Sequence, residues 1–353
     1  MEVFIESAVK AVVAFALLLL NTLLLVWFER KVVADMQNRV GPSRAGPFGI
    51  LQTFADGLKL FFKEQVTPRK VELGLYLLAP VMAVLPALLI FMVVPIGSTI
   101  ELFGYEVDLV GADLNIGLLF FLAMSSLAVY ATVLAGWASG SKYPLLGGVR
   151  ATAQAISYEA AMALAVIPVI LYAGTTRMQG FVLAQAGNFA GLGGIFPRWY
   201  VVALLPSFVL FFIAVVAETN RAPFDLVEAE SEIVGGYHTE YSGIRFAMFF
   251  LAEYINMFNV SAIAATLFLG GWNGPTWEGT LPALASDLLP VFWFFLKTWL
   301  LLFLFVWIRA TLPRMRYDQL MQFGWKRLIP SALAWLMLVT LATAIRRFGT
   351  PWT

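Results

Sequence analysis

The sequence predicts an all-α polytopic membrane protein with about eight transmembrane helices. Three observations carry this prediction. Hydrophobic residues make up 60% of the 353 and charged residues only 13%, about half the share found in a soluble domain. Six runs, 11–28, 73–100, 114–141, 199–217, 254–277 and 328–345, contain no Asp, Glu, Lys, Arg or His. Two more, 151–176 and 288–308, carry one ionisable residue each, Glu159 and Lys297. Every run is long enough to cross a hydrocarbon core about 30 Å thick at a rise of about 1.5 Å per residue. The runs are continuous rather than alternating, which excludes a β-barrel.

These runs place spans at about 4–28, 73–96, 114–138, 152–174, 199–218, 246–270, 288–309 and 328–345, in a single integral membrane domain over 1–353. The first span reads as a retained helix and not a cleaved signal peptide. Glu2 and Glu6 precede it, and Glu29-Arg30-Lys31 follows without a small-residue cleavage site. Residues 50–64 are too short to span. Ile50, Leu51, Phe54, Leu58, Phe61 and Phe62 share one face, and Gln52, Asp56, Lys59 and Lys63 the other, the pattern of an amphipathic helix at the membrane surface. A packed or anchoring helix is the plainer reading; a lipid-side gate for an amphiphilic substrate is the sharper one. The Gly-rich run 178–197 reads as an outside loop. Seventeen of the 23 Lys and Arg residues fall in 29–71, 139–151, 218–245 and 309–327, so these segments face the cytoplasm and both termini face outward. Arg346 and Arg347 weigh against that orientation.

Charge and composition then remove whole classes of function. Lys and Arg balance Asp and Glu at 23 against 22, which leaves no electrostatic footprint for nucleic acid. With no Cys and one His, the chain lacks the residues for disulfides, cysteine-held iron–sulfur clusters and the usual zinc sites. It also lacks a Walker loop, a dinucleotide fingerprint and a Ser/His/Asp set.

The remaining charge is concentrated. The segment 218–241 holds Glu218, Asp225, Glu228, Glu230, Glu232 and Glu240 against Arg221 alone. In a helical register Asp225, Glu228 and Glu232 share one face. Crowding and burial both raise carboxyl pKa values, which suits proton exchange near neutral pH. A solvated acidic loop, or a docking face for a basic partner, is the plainer alternative. His238, beside Tyr237 and Thr239, reads as a hydrogen-bonded loop residue and not a ligand. Glu159, in Ser157-Tyr158-Glu159 with Gln154 nearby, is an intramembrane carboxylate, hence a proton relay or half of a structural ion pair. Glu253 and Lys297 are either relay members or partners of each other. The basic residues of Arg309-Ala310-Thr311-Leu312-Pro313-Arg314-Met315-Arg316 follow the positive-inside rule, or reach the acidic loop through Arg309.

Several of these stretches together resemble one family. They are Trp27-Phe28-Glu29-Arg30-Lys31, Arg39-Val40-Gly41-Pro42-Ser43-Arg44-Ala45-Gly46-Pro47, Ala55-Asp56-Gly57-Leu58-Lys59, Gly136-Trp137-Ala138-Ser139-Gly140-Ser141-Lys142-Tyr143, Ser157-Tyr158-Glu159, Ala217-Glu218-Thr219-Asn220-Arg221-Ala222-Pro223-Phe224-Asp225, Ile308-Arg309 through Arg314, and Arg316-Tyr317-Asp318-Gln319. Taken in this order, over nearly the whole chain, they resemble the H-subunit family of bacterial NADH:quinone oxidoreductase, respiratory complex I. Its mitochondrial counterpart is NADH dehydrogenase subunit 1. Ser43 and Ala45 stand where the family more usually has Asn and Val.

The resemblance implies a membrane subunit that walls a quinone chamber and couples quinone reduction to proton translocation. The chamber residues it implies are Glu29, Arg30, Arg39, Asp56, Lys59, Arg221, Phe224 and Asp225. Quinone would enter from the bilayer near spans 1 and 6 and the surface helix. Proton coupling would involve Tyr158, Glu159, Glu218, Asp225, Glu228, Glu230 and Glu232. The chain would hold no redox centre. Quinone is the substrate, with FMN and iron–sulfur clusters on partner subunits. The partners are a peripheral iron–sulfur subunit, a 49-kDa-type subunit, small membrane subunits and antiporter-like subunits. The location is the bacterial cytoplasmic membrane, or the mitochondrial inner membrane for an organelle-encoded chain. The alternatives are the corresponding subunit of a membrane-bound hydrogenase or other complex I-like oxidoreductase, a stand-alone proton or cation carrier, and a passive scaffold.

Overall fold

A computed structural model describes residues 2–102, 105–187, 198–226, 233–275 and 283–348. Seven of its helices are long and apolar enough to cross a membrane, and a further, shorter helix is also apolar.

Helix α1, Glu2–Met36, has 35 residues, so at about 1.5 Å each it outruns the hydrocarbon core by several turns. Its last two turns carry Glu29 and Arg30, which the sequence places in a loop. No Gly or Pro intervenes before Gly41, so nothing ends the helix where the apolar run ends. A 3₁₀ turn at Pro47–Gly49 follows. Gly49 has φ of 76°, and a Cβ there would lie 2.4 Å from the Pro42 carbonyl, so only glycine fits. Helix α2 is Gln52–Phe62, inside the expected 50–64. Helix α3, Leu73–Met92, stops short of the expected 96. Beyond it Ile100–Leu102 and Tyr105–Val107 form a small antiparallel hairpin, β1 and β2, a departure from a purely helical fold.

Helix α4 is Gly117–Ala138 and α5 is Lys142–Ala173. The expected loop 139–151 thus shrinks to a turn, and α5 begins ten residues before the predicted span. The two helices meet through glycine: a Cβ on Gly136 would lie 2.7 Å from the Pro144 oxygen and 3.2 Å from Gly148 Cα. The predicted outside loop 178–197 opens with a short helix, α6, Met178–Ala184, and 188–197 lie outside the described residues.

The predicted span 199–218 is broken. Helix α7 covers only Tyr200–Ala203. Leu204 leaves helical geometry, with φ −118° and ψ 37°, and α8 runs over the 14 residues Leu205–Glu218. Pro206 explains the break, because a helix running through it would drive the proline ring into the Val202 carbonyl. At the start of α8 the missing N–H costs nothing.

A 3₁₀ turn at Gly236–His238 leads to α9, Gly243–Phe268, the most buried of the long helices. Helix α10 is Ala283–Thr311. Helix α11, Tyr317–Phe323, passes through a π turn, Gly324–Leu328, into α12, Ile329–Phe348. Most of the expected loop 309–327 is therefore helical. Buried Tyr158 of α5 donates from its hydroxyl to the Leu320 carbonyl at 2.9 Å, which fastens this corner.

Candidate functional site: a buried charge series and two cavities

The polar turn after α8 is pinned by Gln154 of α5. Its amide donates to the carbonyls of Ala217 at 2.7 Å and Phe224 at 2.9 Å. Asn220 takes a left-handed φ of 51°, a conformation Asn tolerates better than most residues, and the chain then turns Arg221 inward. Arg221 is only 6% exposed. Its Nη1 lies 3.7 Å from Glu29 Oε1 and its Nε 3.0 Å from Glu253 Oε1. The guanidinium carbon stands 4.5 Å above the Tyr254 ring. Arg309, from the end of α10, contacts the same Glu29 carboxylate. The charges alternate: Arg309, Glu29, Arg221, Glu253. A buried ion is tolerated when each neighbour has the opposite sign and hydrogen bonds fill the geometry. Beside this series buried Asp225 meets Arg314 at 3.1 Å.

The series starts at an open cavity of about 630 Å³, lined by Glu29, Arg30, Arg39, Tyr254 and Arg309. Helix α2 is held to α1 by Arg30–Asp56 at 2.5 Å, and the Trp27 indole donates to the Phe48 carbonyl at 3.0 Å. Ile50, Leu51, Phe54, Leu58, Phe61 and Phe62 are all exposed, so the apolar side of α2 is left uncovered by this chain.

The series ends at a second, smaller cavity of about 90 Å³ between α3, α4, α5, α8 and α9. Its polar lining includes Glu253, Asn256, Glu218, Asn220, Ser125 and Thr132. It has room for several waters. Glu218, at the end of α8, accepts a hydrogen bond from Ser125, and Glu159 of α5 accepts one from Ser126. Two adjacent hydroxyls of α4 thus hold two carboxylates from different helices.

Lys297 stands apart from all of these. It is 6% exposed. Its ammonium donates to the carbonyls of Leu269 at 2.7 Å, Gly271 at 2.8 Å and Asn273 at 2.5 Å. It also lies 4.5 Å from the Trp199 ring. It caps the end of α9, where carbonyls have no helical partner.

The sequence model of a family described as NADH dehydrogenase matches residues 9–340. The chain belongs to this NADH dehydrogenase family. It is 53% identical to the H subunit of the NADH-quinone oxidoreductase of Frankia casuarinae over 346 residues, which is 97% of this chain and 74% of the relative. Against the corresponding chain of Frankia alni, which carries the same description, the identity is 52%, with the same coverage of both chains.

In this member of the NADH dehydrogenase family the expected chamber residues divide. Glu29, Arg30 and Arg39 line the open cavity; Asp56 holds Arg30 beside it; Arg221 reaches it through Glu29. Lys59 is exposed on α2 and does not line it. Phe224 is buried, with its ring 5.5 Å from Tyr158 and 6.2 Å from Phe323, so it packs the corner of the fold. Asp225 is drawn to Arg314. Of the expected coupling residues, Glu159 and Glu218 share the serine pair. Tyr158 points away from Glu159, as neighbours about 100° apart on a helix must. Glu228, Glu230 and Glu232 lie outside the described residues. Glu253 pairs with Arg221 rather than Lys297. The His238 ring packs among Tyr237, Phe246 and Phe250. Among the described residues no three His, Cys, Asp or Glu side chains form a metal site. Sequence reasoning missed Ser125 and Ser126, although two hydroxyls in the middle of the uncharged run 114–141 are a signal that something polar packs there.

Proposed function

We propose that this chain is the membrane subunit of a proton-pumping NADH:quinone oxidoreductase, walling the quinone chamber and passing the effect of quinone reduction into the membrane. The observation that carries this reading is the alternating charge series running from the larger cavity to the smaller one beside Glu218. The arginine-lined cavity suits a polar quinone headgroup. The uncovered apolar side of α2 suits its isoprenoid tail. Electrons come from FMN and iron–sulfur clusters on peripheral partners, namely an iron–sulfur subunit and a 49-kDa-type subunit, since this chain has no Cys to hold a cluster. Small and antiporter-like membrane subunits flank it in the bacterial cytoplasmic membrane, with both termini outward.

A quinone that takes up two electrons and two protons becomes a quinol. Protons withdrawn at the chamber leave negative charge there, and in a medium of low dielectric that charge acts strongly on its neighbours. Arg221, held between two carboxylates, is the cation placed to shift. Drawn toward Glu29, it loosens its hold on Glu253, which then takes a proton from the smaller cavity. Glu218 and Glu159, each held by one of the neighbouring residues Ser125 and Ser126, carry the proton onward, and Asp225 with Glu228, Glu230 and Glu232 resupplies it.

Glu218→Gln tests the reading. With assembly verified on a blue-native gel, NADH:quinone reductase activity and proton uptake are followed together in native membranes. Loss of proton uptake is expected. An assembled complex with both activities intact overturns the coupling role.

A further inference from the structure

The break at Leu204 has a second effect, far from the charge series. Where α7 gives way to α8, the chain steps aside and leaves a notch between the ends of α5 and α12. The apolar part of this notch has a volume of about 760 Å³ and is lined by Leu171, Leu204, Trp335, Leu338 and Val339. Trp335 is fixed as part of its wall, because its indole donates to buried Ser207 at 2.8 Å. A smaller compartment of about 250 Å³ adjoins it, lined by Arg198, Tyr200, Trp199 and Ala184. Tyr172, Ala203 and Arg346 line both compartments, so they form one continuous cleft. The Tyr172 and Tyr200 rings meet edge to face at 5.1 Å.

We infer that this cleft binds one anionic diacyl phospholipid, with its phosphate on Arg198 and Arg346 and an acyl chain along Leu171, Leu204, Trp335 and Leu338. Charge complementarity decides the occupant. Two arginines stand at the polar end, and no carboxylate lines either compartment among the described residues. A phosphate oxygen pair matches the guanidinium fork, and two tyrosines at the same level supply hydroxyl donors suited to the headgroup zone. The apolar part opens on the side of α12, the long helix with the smallest buried share. Met337, Leu338 and Leu341 are exposed there, as a wall facing acyl chains requires. The inference also accounts for the arginines Arg198 and Arg346, which sit on the side that the distribution of Lys and Arg assigns to the exterior. Lipid phosphate, not cytoplasm, is what they face.

The test uses the assembled complex in nanodiscs of phosphatidylcholine containing a minor fraction of phosphatidylglycerol. A photoreactive residue, p-benzoylphenylalanine, replaces Leu338, and the adduct is identified by mass spectrometry. The expected adduct is a single phospholipid enriched in phosphatidylglycerol over the bulk mixture. Each arginine contributes about five-fold to that enrichment at low salt. In the Arg198→Gln, Arg346→Gln background the enrichment disappears while assembly persists. Three results overturn the inference: an adduct with another subunit, adducts in the bulk lipid ratio, or an enrichment that survives loss of both arginines.

Discussion

Replacing Lys297 by Met separates a structural role from a transport role. Met keeps the length of the stem and removes the ammonium, so α10 loses its three bonds to the carbonyls of Leu269, Gly271 and Asn273. In a water-soluble protein, bonds from a charged donor contribute about 1.5–3 kcal/mol each. Between transmembrane helices the measured average is about 0.6 kcal/mol and the upper end about 1.7. Three such bonds therefore hold α10 to the end of α9 by about 2–5 kcal/mol, and stacking on Trp199 adds about 0.5–2 kcal/mol. Removing the charge also eases insertion of the isolated α10 by about 2.5–3.5 kcal/mol. That gain belongs to the separated helix as much as to the docked one, so it does not offset the loss on docking. With three bonds of average strength, about 1.8 kcal/mol, and about 1 kcal/mol from the ring, the expected destabilisation is about 3 kcal/mol, a factor of about 150 in the docking equilibrium. The assay is thermal challenge of detergent-solubilised complex, scored as the fraction still assembled on a native gel, beside proton uptake in membranes before heating. The midpoint falls in Lys297→Met, while unheated membranes still pump. Lys297→Arg fails as well, since a guanidinium does not fit between carbonyls that already lie 2.5–2.8 Å from the ammonium. Wild-type heat resistance combined with abolished pumping refutes the capping argument and makes Lys297 part of an ion path.

Further outcomes follow from the same geometry. Arg221→Met leaves Glu29 and Glu253 without the cation between them, a loss of about 3–5 kcal/mol, so little assembled complex is expected on a native gel; Arg221→Lys retains assembly but loses the fork that reaches both carboxylates, and its proton uptake falls. Replacing Ser125 and Ser126 together by Ala lowers proton uptake per NADH oxidised with reductase activity retained, while Thr at both positions preserves it; equal uptake in the Ala pair removes the serines from the path. Gly49→Ala meets the Pro42 carbonyl at 2.4 Å and an unfavourable φ of 76°, a strain of about 1–3 kcal/mol, and it misplaces α2, which raises the KM for quinone before it affects assembly.

Seven of the eight expected spans are long helices, readable because each crossing leaves an uncharged run, and that absence of charge is a direct imprint of the hydrocarbon core. The same signal misplaces their ends. It marks membrane depth, whereas a helix stops only at a breaker or a cap. Residues 29–36, 142–151 and 317–327 are charged and helical at once, which is how Glu29 rises on α1 to the charge series instead of lying in a loop. Pro206 is visible in the sequence, yet an uncharged run conceals the break it causes. Of the site, the types of residue are legible and their pairing is not. Glu253 and Lys297 are the obvious couple on chemistry alone, but neighbouring helices decide otherwise: the turn after Asn220 brings Arg221 to Glu253, and the bared end of α9 takes Lys297.

The shortness of α8 has an electrical meaning. Its 14 residues rise only about 21 Å, against a hydrocarbon core of about 30 Å. At its Glu218 end α8 gives way to a polar turn and a cavity with room for water, which insulate less well than lipid. Membrane voltage drops across the insulating part, at about 2.3 kcal/mol per charge per 100 mV for the full thickness. A proton that reaches Glu218 through that turn and cavity works against only the part of this energy that falls on its own side of the carboxylate. The point at which α8 ends sets the electrical distance of this carboxylate, and with it the share of the transmembrane potential that any charge movement at Glu218 must work against.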